Sequence, residues 1–399
     1  MAALEYLLFD ADNHYYETRD CFTRYIEPRY RDKAIRSVVV DGVERIVVGD
    51  KPFTFMDPKF DKTNPPGSLY DMVRNRDSGD KWADSYTADN MLPAFQNRDA
   101  RLALMDEQGI ESTIILPTLA VCVEPAMFDD VEQTYVNLRA FNKWLDDDWG
   151  FDHHGRIFAP PLLSLLDLEE ACRELDRVLA AGARIVHLRA GPAFGRSPAD
   201  PYFDPFWARL DEARVPVAFH IADSGYHRVW GAEWGETSTP NVREKSAWAW
   251  AFLHGDRPIM ETFGALIYGN LFGRFPNLRA LSIENGSGWV DYLLTLLDKK
   301  KGMGRRGPWV GGYWSGRPSA VFREHVYVSP YPEDDVSKLI DRIGAERVLF
   351  GSDYPHPEGF AQPDGFLELL EGRTDHEVRR VMRDNAVDLF AESAVTRGG

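Results

Sequence analysis

Acidic and imidazole side chains stand at the ends of three apolar runs of this sequence, where they could bind a metal ion. Asp12 and His14 follow the first run, His220 ends a later one, and Asp353 follows the last. Carboxylate and neutral imidazole are the usual protein ligands for Zn²⁺, and they also suit Mn²⁺ and Fe²⁺. Each residue alone has a simpler reading as a cap or a turn, so the argument rests on their joint placement. We expect these four residues to hold one divalent cation, with Zn²⁺ as the first choice and Mn²⁺ or Fe²⁺ as alternatives.

Further polar residues beside the same kind of run could act on a substrate. Glu284 and Asn285 follow another apolar run, and His356 comes shortly after Asp353. A divalent cation lowers the pKa of bound water, and Asp353 is the expected base that takes the proton. Glu284, Asn285 and His356 are the other candidates for acid–base or orienting roles. A turn position beside Pro355 explains His356 equally well.

An arginine and another histidine end a further apolar run. His187 and Arg189 lie where the run 184–188 meets the next loop. A guanidinium matches a carboxylate through two parallel hydrogen bonds, so Arg189 is a candidate clamp for a substrate carboxylate. The alternative is an ion pair with an acid at the rim of the fold. We expect both residues to contact the substrate.

The polar residues follow short runs rich in Val, Ile, Leu and Phe, which mostly lack polar alternation. Such runs are typical of strands buried on both faces of a parallel sheet. Helical patterns lie between most of them, and Gly109, Gly182 and Gly344 end three of those helices. Eight βα units predict an α/β fold, a (β/α)8 TIM barrel of the metal-dependent hydrolase type. The eight runs are 6–9, 113–116, 157–160, 184–188, 215–220, 278–283, 325–328 and 348–350.

An open, doubly wound sheet is the alternative fold. Such sheets that bind dinucleotides carry a glycine-rich turn after the first strand. Here that turn reads Asp10-Ala11-Asp12-Asn13-His14. P-loop, HExxH and GxSxG motifs are missing as well, which argues against nucleotide-dependent enzymes and serine hydrolases.

Two stretches are much longer than ordinary connections in such a fold. Residues 18–97 hold many charges and a short hairpin, for which Asp41-Gly42 is the expected turn. Residues 222–275 are rich in tryptophan. We expect both stretches to be insertions over the barrel mouth of a single domain that spans residues 1–399. Their aromatic side chains favour an apolar or aromatic substrate.

The composition limits the possible partners. A net charge of −17 and a pI near 5.1 disfavour nucleic acid, because phosphate backbones would repel the chain. No apolar run approaches the roughly 20 residues that cross a bilayer. The amino terminus lacks the features of a signal peptide, and the three cysteines are far apart. We expect a cytoplasmic homodimer that acts on a small molecule, without nucleic acid or a membrane as partner.

Together these motifs resemble the amidohydrolase superfamily, in the branch of aminocarboxymuconate semialdehyde decarboxylase and the resorcylate-type decarboxylases. The resemblance runs from about residue 7 to residue 390, and it implies the barrel and a mononuclear metal site. The strand-1 metal motif of the family corresponds to Asp12-x-His14, its strand-5 histidine to His220 and its strand-8 aspartate to Asp353. The residues that carry the resemblance are 10–17, 101–110, 203–207, 216–220, 351–356 and Asn385-Ala386.

One position departs from that family. The family often has a catalytic histidine in a glycine-rich turn after strand 6, where this chain has Glu284-Asn285-Gly286-Ser287-Gly288. An acid–amide pair cannot readily copy an imidazole that titrates near neutral pH. We therefore expect hydrolysis of a small, carboxylate-bearing aromatic or unsaturated substrate. Non-oxidative decarboxylation is the alternative, and a metal-binding scaffold without catalysis is a third hypothesis.

Overall fold

The computed structural model describes residues 4–75, 82, 84–239, 241 and 244–393. Its parallel strands form two hydrogen-bonded groups, and its antiparallel strands form a separate small sheet. The strands are β1 (Leu8–Tyr15), β2 (Ile35–Val40), β3 (Val43–Val48), β4 (Lys51–Phe53), β5 (Ile110–Pro117), β6 (Ile157–Phe158), β7 (Leu162–Leu163), β8 (Val186–Leu188), β9 (Val217–His220), β10 (Ala280–Ile283) and β11 (Val326–Val328). The parallel groups have the orders β1-β5-β6 and β7-β8-β9-β10-β11.

Hydrogen bonds outside these strands close the two parallel groups into a barrel. Residues 348–350 join β11 to β1, because the Leu349 amide donates to the Val328 carbonyl at 2.9 Å and the Ala11 amide donates to the Phe350 carbonyl at 2.8 Å. On the opposite side, β6 and β7 belong to one short stretch of chain and pair with β5 and β8 respectively. The eight expected runs therefore follow one another around the barrel, and the prediction of a TIM barrel is confirmed.

The barrel has apolar side chains on both faces of its strands, which explains the lack of polar alternation in the sequence. The inner cluster takes alternate residues of the strands, such as Phe9 and Ala11 or Leu281 and Ile283. Helix Asn385–Ala391 fills one end of this interior. Its Phe390 ring stacks on Phe158 at 4.1 Å and on Phe9 at 5.4 Å between ring centroids. That end of the barrel is therefore filled with hydrophobic side chains.

Helices surround the strands and bury an outer apolar layer. The expected helix before the second strand begins after Asn97, whose side chain accepts a hydrogen bond from the Ala100 amide. Within the described part of the chain, no helix has the length and hydropathy to cross a membrane. The α-helices are Ser68–Asn75, Arg98–Glu107, Val131–Asp148, Leu168–Ala180, Asp204–Ala213, Ala247–Phe252, Asp256–Tyr268, Leu271–Arg274, Gly288–Met303, Pro318–His325, Val336–Ile343, Asp375–Arg379 and Asn385–Ala391.

The two long stretches carry structure of their own. The first contains the sheet β2-β3-β4, in which Val40 pairs with Val43. Asp41 and Gly42 form the turn between them, with φ of 52° and 78°. Such a turn needs residues that tolerate positive φ, as the sequence predicts. The expected insertions extend over residues 76–81, 83, 240 and 242–243, which lie outside the described residues.

Candidate active site

Five acidic and imidazole side chains converge at the end of the barrel opposite the Phe390 helix. His14 Nε2 lies 3.2 Å from Asp12 Oδ1, 3.3 Å from Glu284 Oε2 and 3.4 Å from Asp353 Oδ1. His220 Nε2 lies 2.8 Å from Glu284 Oε2 and 3.2 Å from His14 Nε2. Each of these atoms is one that could coordinate a metal ion. We call these residues the metal-site cluster.

The barrel strands place the cluster. The Asp12 and His14 side chains come from β1, whose pairing with β5 is interrupted between Asp10 and Asn13. Such bulges re-aim side chains near active sites. His220 is the last residue of β9, and Glu284 directly follows β10. The carboxyl ends of parallel strands thus bring together residues that are far apart in the sequence.

Buried hydrogen bonds hold the first strand in place. Asp10 Oδ1 accepts from the amides of Asp12 at 3.1 Å and Ser352 at 3.0 Å. Arg101 is fully buried and donates to the carbonyls of His14 and Ala94, each at 2.7 Å. These bonds fix the backbone on both sides of Asp12. They give the cluster a rigid support.

The backbone is strained at two of the five positions. Glu284 and Asp353 adopt φ of 52° and 54°, in the left-handed region that side-chain-bearing residues rarely occupy. Such conformations cost about 1–3 kcal/mol each and collect at functional sites. The chain also passes close to Asp12, since a Cβ on Gly351 would come within 2.5 Å of the Asp12 Cβ. The packing around the site therefore holds the carboxylates at fixed positions.

Charges within the cluster shift one another's protonation. Burial raises the pKa of Asp353 well above its usual range, and the negative charge of Glu284 adds to this shift. Burial and Glu284 also raise the pKa of Asp12. Burial lowers the pKa of His14, but its contacts with Asp12 and Glu284 outweigh that effect and raise the pKa to about 9. The three ionised carboxylates of this buried cluster repel each other unless a positive charge lies between them.

A divalent cation fits this donor set. Asp12 Oδ1, His14 Nδ1 and Glu284 Oε2 are buried atoms that make no hydrogen bond of suitable geometry among the described residues, although histidine nitrogens lie close to both oxygens. Buried polar atoms are normally satisfied, so Asp12 Oδ1 and Glu284 Oε2 indicate a missing ligand. Ligand atoms of Asp12, His14, His220 and Glu284 lie within 4.8 Å of one another, as do those of His14, Glu284, Asp353 and His356. Carboxylate and imidazole are suitable donors for a divalent metal.

A second imidazole lies beside the cluster. His356 Nδ1 is 2.7 Å from Asp353 Oδ1, and its Nε2 is 2.9 Å from Thr118 Oγ1. Its ring stacks on that of His14 at 4.0 Å between centroids. Burial lowers the pKa of His356 well below its usual value, and the charge of His14 adds to this. His356 is therefore a neutral imidazole hydrogen-bonded to a cluster carboxylate.

A cavity of about 1120 Å³ opens above the cluster. His14, His220, Glu284 and His356 lie at its base. Its walls come from both long stretches of the chain, and they include several aromatic side chains. These are Phe55, Phe60, Trp82, Tyr86 and Trp250. The cavity is thus suited to an aromatic ligand that reaches the metal-site cluster.

Three expected site residues occupy other surroundings. Asn285 Nδ2 donates to the carbonyls of Phe219 and Ile283, each at 2.8 Å, and so links β9 to β10. Arg189 donates to backbone carbonyls and lies 3.4 Å from Glu124, so it forms the rim ion pair named as its alternative role. His187 is buried, and burial lowers its pKa to about 3. None of these three side chains lines the large cavity.

Sequence patterns missed other residues of the cavity. Lys59, Thr118, Lys245 and His254 all line it. Three of them lie in the long stretches outside the barrel strands, where no periodicity predicts which way a side chain points. Thr118 directly follows β5, so its position after a strand could have identified it.

Comparison with known proteins identifies the family of this chain. The family model described as amidohydrolase matches residues 10–391. The chain belongs to the amidohydrolase family. A solved amidohydrolase structure from Mycobacterium avium subsp. paratuberculosis is 40% identical, with a TM-score of 0.88, and the match covers 97% of this chain and 100% of that one. This amidohydrolase is therefore an enzyme, as the sequence predicts.

Two other relatives carry more specific names. γ-Resorcylate decarboxylase from a Polaromonas species is 27% identical over 324 residues, which cover 76% of this chain and 92% of the relative. The second is a structure of dihydroxybenzoic acid decarboxylase from Polaromonas, which contains bound manganese and an inhibitor. It has a TM-score of 0.58 at 19% identity, and the match covers 82% of this chain and 97% of that one. The second match supports the fold alone.

Proposed function

We propose that this chain is a metal-dependent decarboxylase that removes carbon dioxide from an aromatic acid without oxidation. The observation that carries the proposal is the His356–Asp353 pair, which adjoins the metal-site cluster at the base of an aromatic-walled cavity. The γ-resorcylate decarboxylase relative supports the same reaction type. The substrate would place its carboxylate at the cluster and its ring among the aromatic walls.

This proposal replaces our expectation of hydrolysis. That expectation rested on the missing histidine after strand 6, whose imidazole the pair Glu284-Asn285 cannot readily copy. His356 supplies an imidazole from the loop after the eighth strand, in contact with both Asp353 and Thr118. The relatives named above as decarboxylases also favour the alternative reaction. The reason to prefer hydrolysis therefore no longer holds.

The residues have distinct proposed roles. Asp12, His14, His220 and Glu284 would hold the cation, and Asp353 stands at the edge of the same cluster. A divalent cation bound there would supply positive charge that stabilises a substrate carboxylate at the cluster. Asp353 gives a proton to the ring carbon that carries the carboxylate, and the neutral His356 ring then relays a proton from solvent in the cavity to Asp353. The bond from that carbon to the carboxylate then breaks, its electrons restore the ring, and carbon dioxide leaves.

The donor set also bears on the metal. We expected Zn²⁺ first, with Mn²⁺ and Fe²⁺ as alternatives. The four proposed ligands are two carboxylates and two imidazoles, and a third carboxylate lies beside them. Carboxylate donors suit Mn²⁺. The dihydroxybenzoic acid decarboxylase structure holds manganese. We therefore propose Mn²⁺ as the working metal of this chain.

The test follows the hydrogen that enters the product. Protein loaded with Mn²⁺ is screened against hydroxylated aromatic acids and against esters and amides of the same rings. Any active acid is then turned over in deuterated water. A decarboxylase releases carbon dioxide and places one deuterium on the ring carbon. Turnover of the esters or amides, with ¹⁸O from labelled water in the product, would instead show hydrolysis.

A further inference from the structure

The cavity is larger than a single-ring acid requires. Its volume is about 1120 Å³, whereas pockets for drug-sized ligands occupy about 300–1,000 Å³. A single-ring acid at the metal-site cluster would leave much of this space free. The chemistry of the remaining wall therefore indicates what else a substrate carries.

One part of that wall is a lysine held between aromatic rings. Lys245 Nζ lies 3.7 Å from the Phe55 ring centroid and 4.5 Å from the Trp250 ring centroid. His254 packs on the same two rings, at 5.5 Å and 5.3 Å. Phe55 comes from the first long stretch of the chain and the other three residues from the second. We call these four residues the lysine box.

The ammonium of the lysine box forms no ion pair with a carboxylate of the described residues. Among the described residues, no carboxylate lies within 4 Å of Lys245, and its contacts are with ring faces. Burial lowers the pKa of Lys245, while Cys122 and Asp223 oppose this effect. A partly buried ammonium gains most from an anion that enters its surroundings, since burial weakens competition from water.

The lysine box is separate from the other lysine near the reacting end. The charge of Lys59 acts on Asp353 and His356. The charge of Lys245 acts instead on His227 and His254. Burial is the main cause that lowers the pKa of both rings, and the charge of Lys245 lowers it further. The cavity therefore offers buried positive charge at the lysine box as well as positive charge beside the metal-site cluster. A ligand with one carboxylate can use only one of them.

We propose that the lysine box is an anion-binding subsite, which takes a second acidic group of an extended aromatic substrate. The inference rests on the proposed function only in that the first carboxylate is placed at the metal-site cluster. The ring of the substrate contacts the Phe55 and Trp250 faces, and its remote carboxylate accepts hydrogen bonds from Lys245. The substrate class is therefore an extended aromatic acid with two anionic groups.

Binding measurements test this without turnover. The probes are a biphenyl with a carboxylate at each end and the matched biphenyl with one carboxylate, titrated calorimetrically into Mn²⁺-loaded protein. A charge-assisted hydrogen bond makes the wild type prefer the two-carboxylate probe by about 10-fold or more. Lys245→Gln should abolish that preference, and Lys245→Arg should keep it. Lys62→Gln removes the same charge from an exposed position on the cavity wall and should leave the preference unchanged.

The outcomes separate this inference from the proposed function. Equal binding of the two probes by the wild type, or a preference that survives in Lys245→Gln, would overturn the subsite. Loss of the preference in Lys245→Gln supports it, even if no acid is ever decarboxylated. Metal content and thermal unfolding of each variant show whether it is folded. Trp250→Leu provides a second variant that removes one face of the box and should weaken both probes.

Discussion

Glu284 lies against both imidazoles of the metal-site cluster, with its Oε2 2.8 Å from His220 Nε2 and 3.3 Å from His14 Nε2. The other four residues of the cluster were evident in the sequence, because each lies at the end of an apolar run. The position of Glu284 against both imidazoles was not evident, because it depends on a backbone φ of 52° that turns its side chain inward. Sequence patterns give the strand on which a residue stands but not such a local dihedral angle.

The proposed ligand role of Glu284 leads to the first prediction. Glu284→Gln and His220→Ala should both lower the metal content of the purified protein, because a site that loses one donor weakens steeply. Mass spectrometry of the metal after dialysis measures the occupancy. His376→Ala changes an exposed histidine and should keep wild-type metal content. Full occupancy in Glu284→Gln would exclude that residue from the ligand set.

The second prediction concerns His356. His356→Gln should lower kcat about 10²–10⁴-fold, as loss of a group that moves a proton typically does. Its metal content should stay close to wild type, because the four proposed metal ligands are unchanged. Steady-state rates and metal analysis on the same preparation separate the two effects. His154→Gln, at an exposed position, serves as the control, and a nearly unchanged rate in His356→Gln would remove His356 from the proton path.

At the level of elements, all eight runs of the sequence became parts of the barrel wall. They were predictable because strands buried on both faces have a simple apolar signature. The long stretches were expected to be insertions over the barrel mouth, but their contacts were not predictable. The pairing of Lys245 with Phe55 joins two stretches that are far apart in the chain. No local pattern encodes such a contact.

Helix Arg98–Glu107 provides the third prediction. Its Arg101 is fully buried and donates to the carbonyls of His14 and Ala94. Arg101→Met would leave these acceptors unpaired and should lower the free energy of unfolding by about 3–5 kcal/mol. Urea denaturation measures the loss. Arg173→Met, on the exposed face of another helix, should change stability little.

Across the whole molecule, the two ends of the barrel differ in structure. One end is filled by Phe390 and its neighbours, and the other carries the metal-site cluster and the cavity. The sequence indicated the polar end, since polar residues follow the runs, but it did not indicate what fills the other end. The size of the cavity could not be predicted, because it depends on how the two long stretches pack over the mouth.

The filled end gives the fourth prediction. Phe390→Ala removes a ring that stacks on Phe158 and Phe9, and it should destabilise the protein by about 3–5 kcal/mol. At a temperature where the variant is folded, its KM should equal that of the wild type. Denaturation curves and steady-state kinetics check the two parts. A large change in KM would show that the two ends are coupled. Phe252→Ala, an exposed aromatic position, should affect stability much less.

The cavity walls and the metal-site cluster come from different parts of the chain, and this separation affects how the enzyme can diverge. The cluster is built on strands, whereas Phe55 and Lys245 belong to excursions that the barrel does not need for its closure. Substitutions in these excursions can alter which substrate is accepted while leaving the metal-site cluster intact. New substrate preferences are therefore accessible by exchange of the two excursions as cassettes between related barrels, without redesign of the catalytic centre.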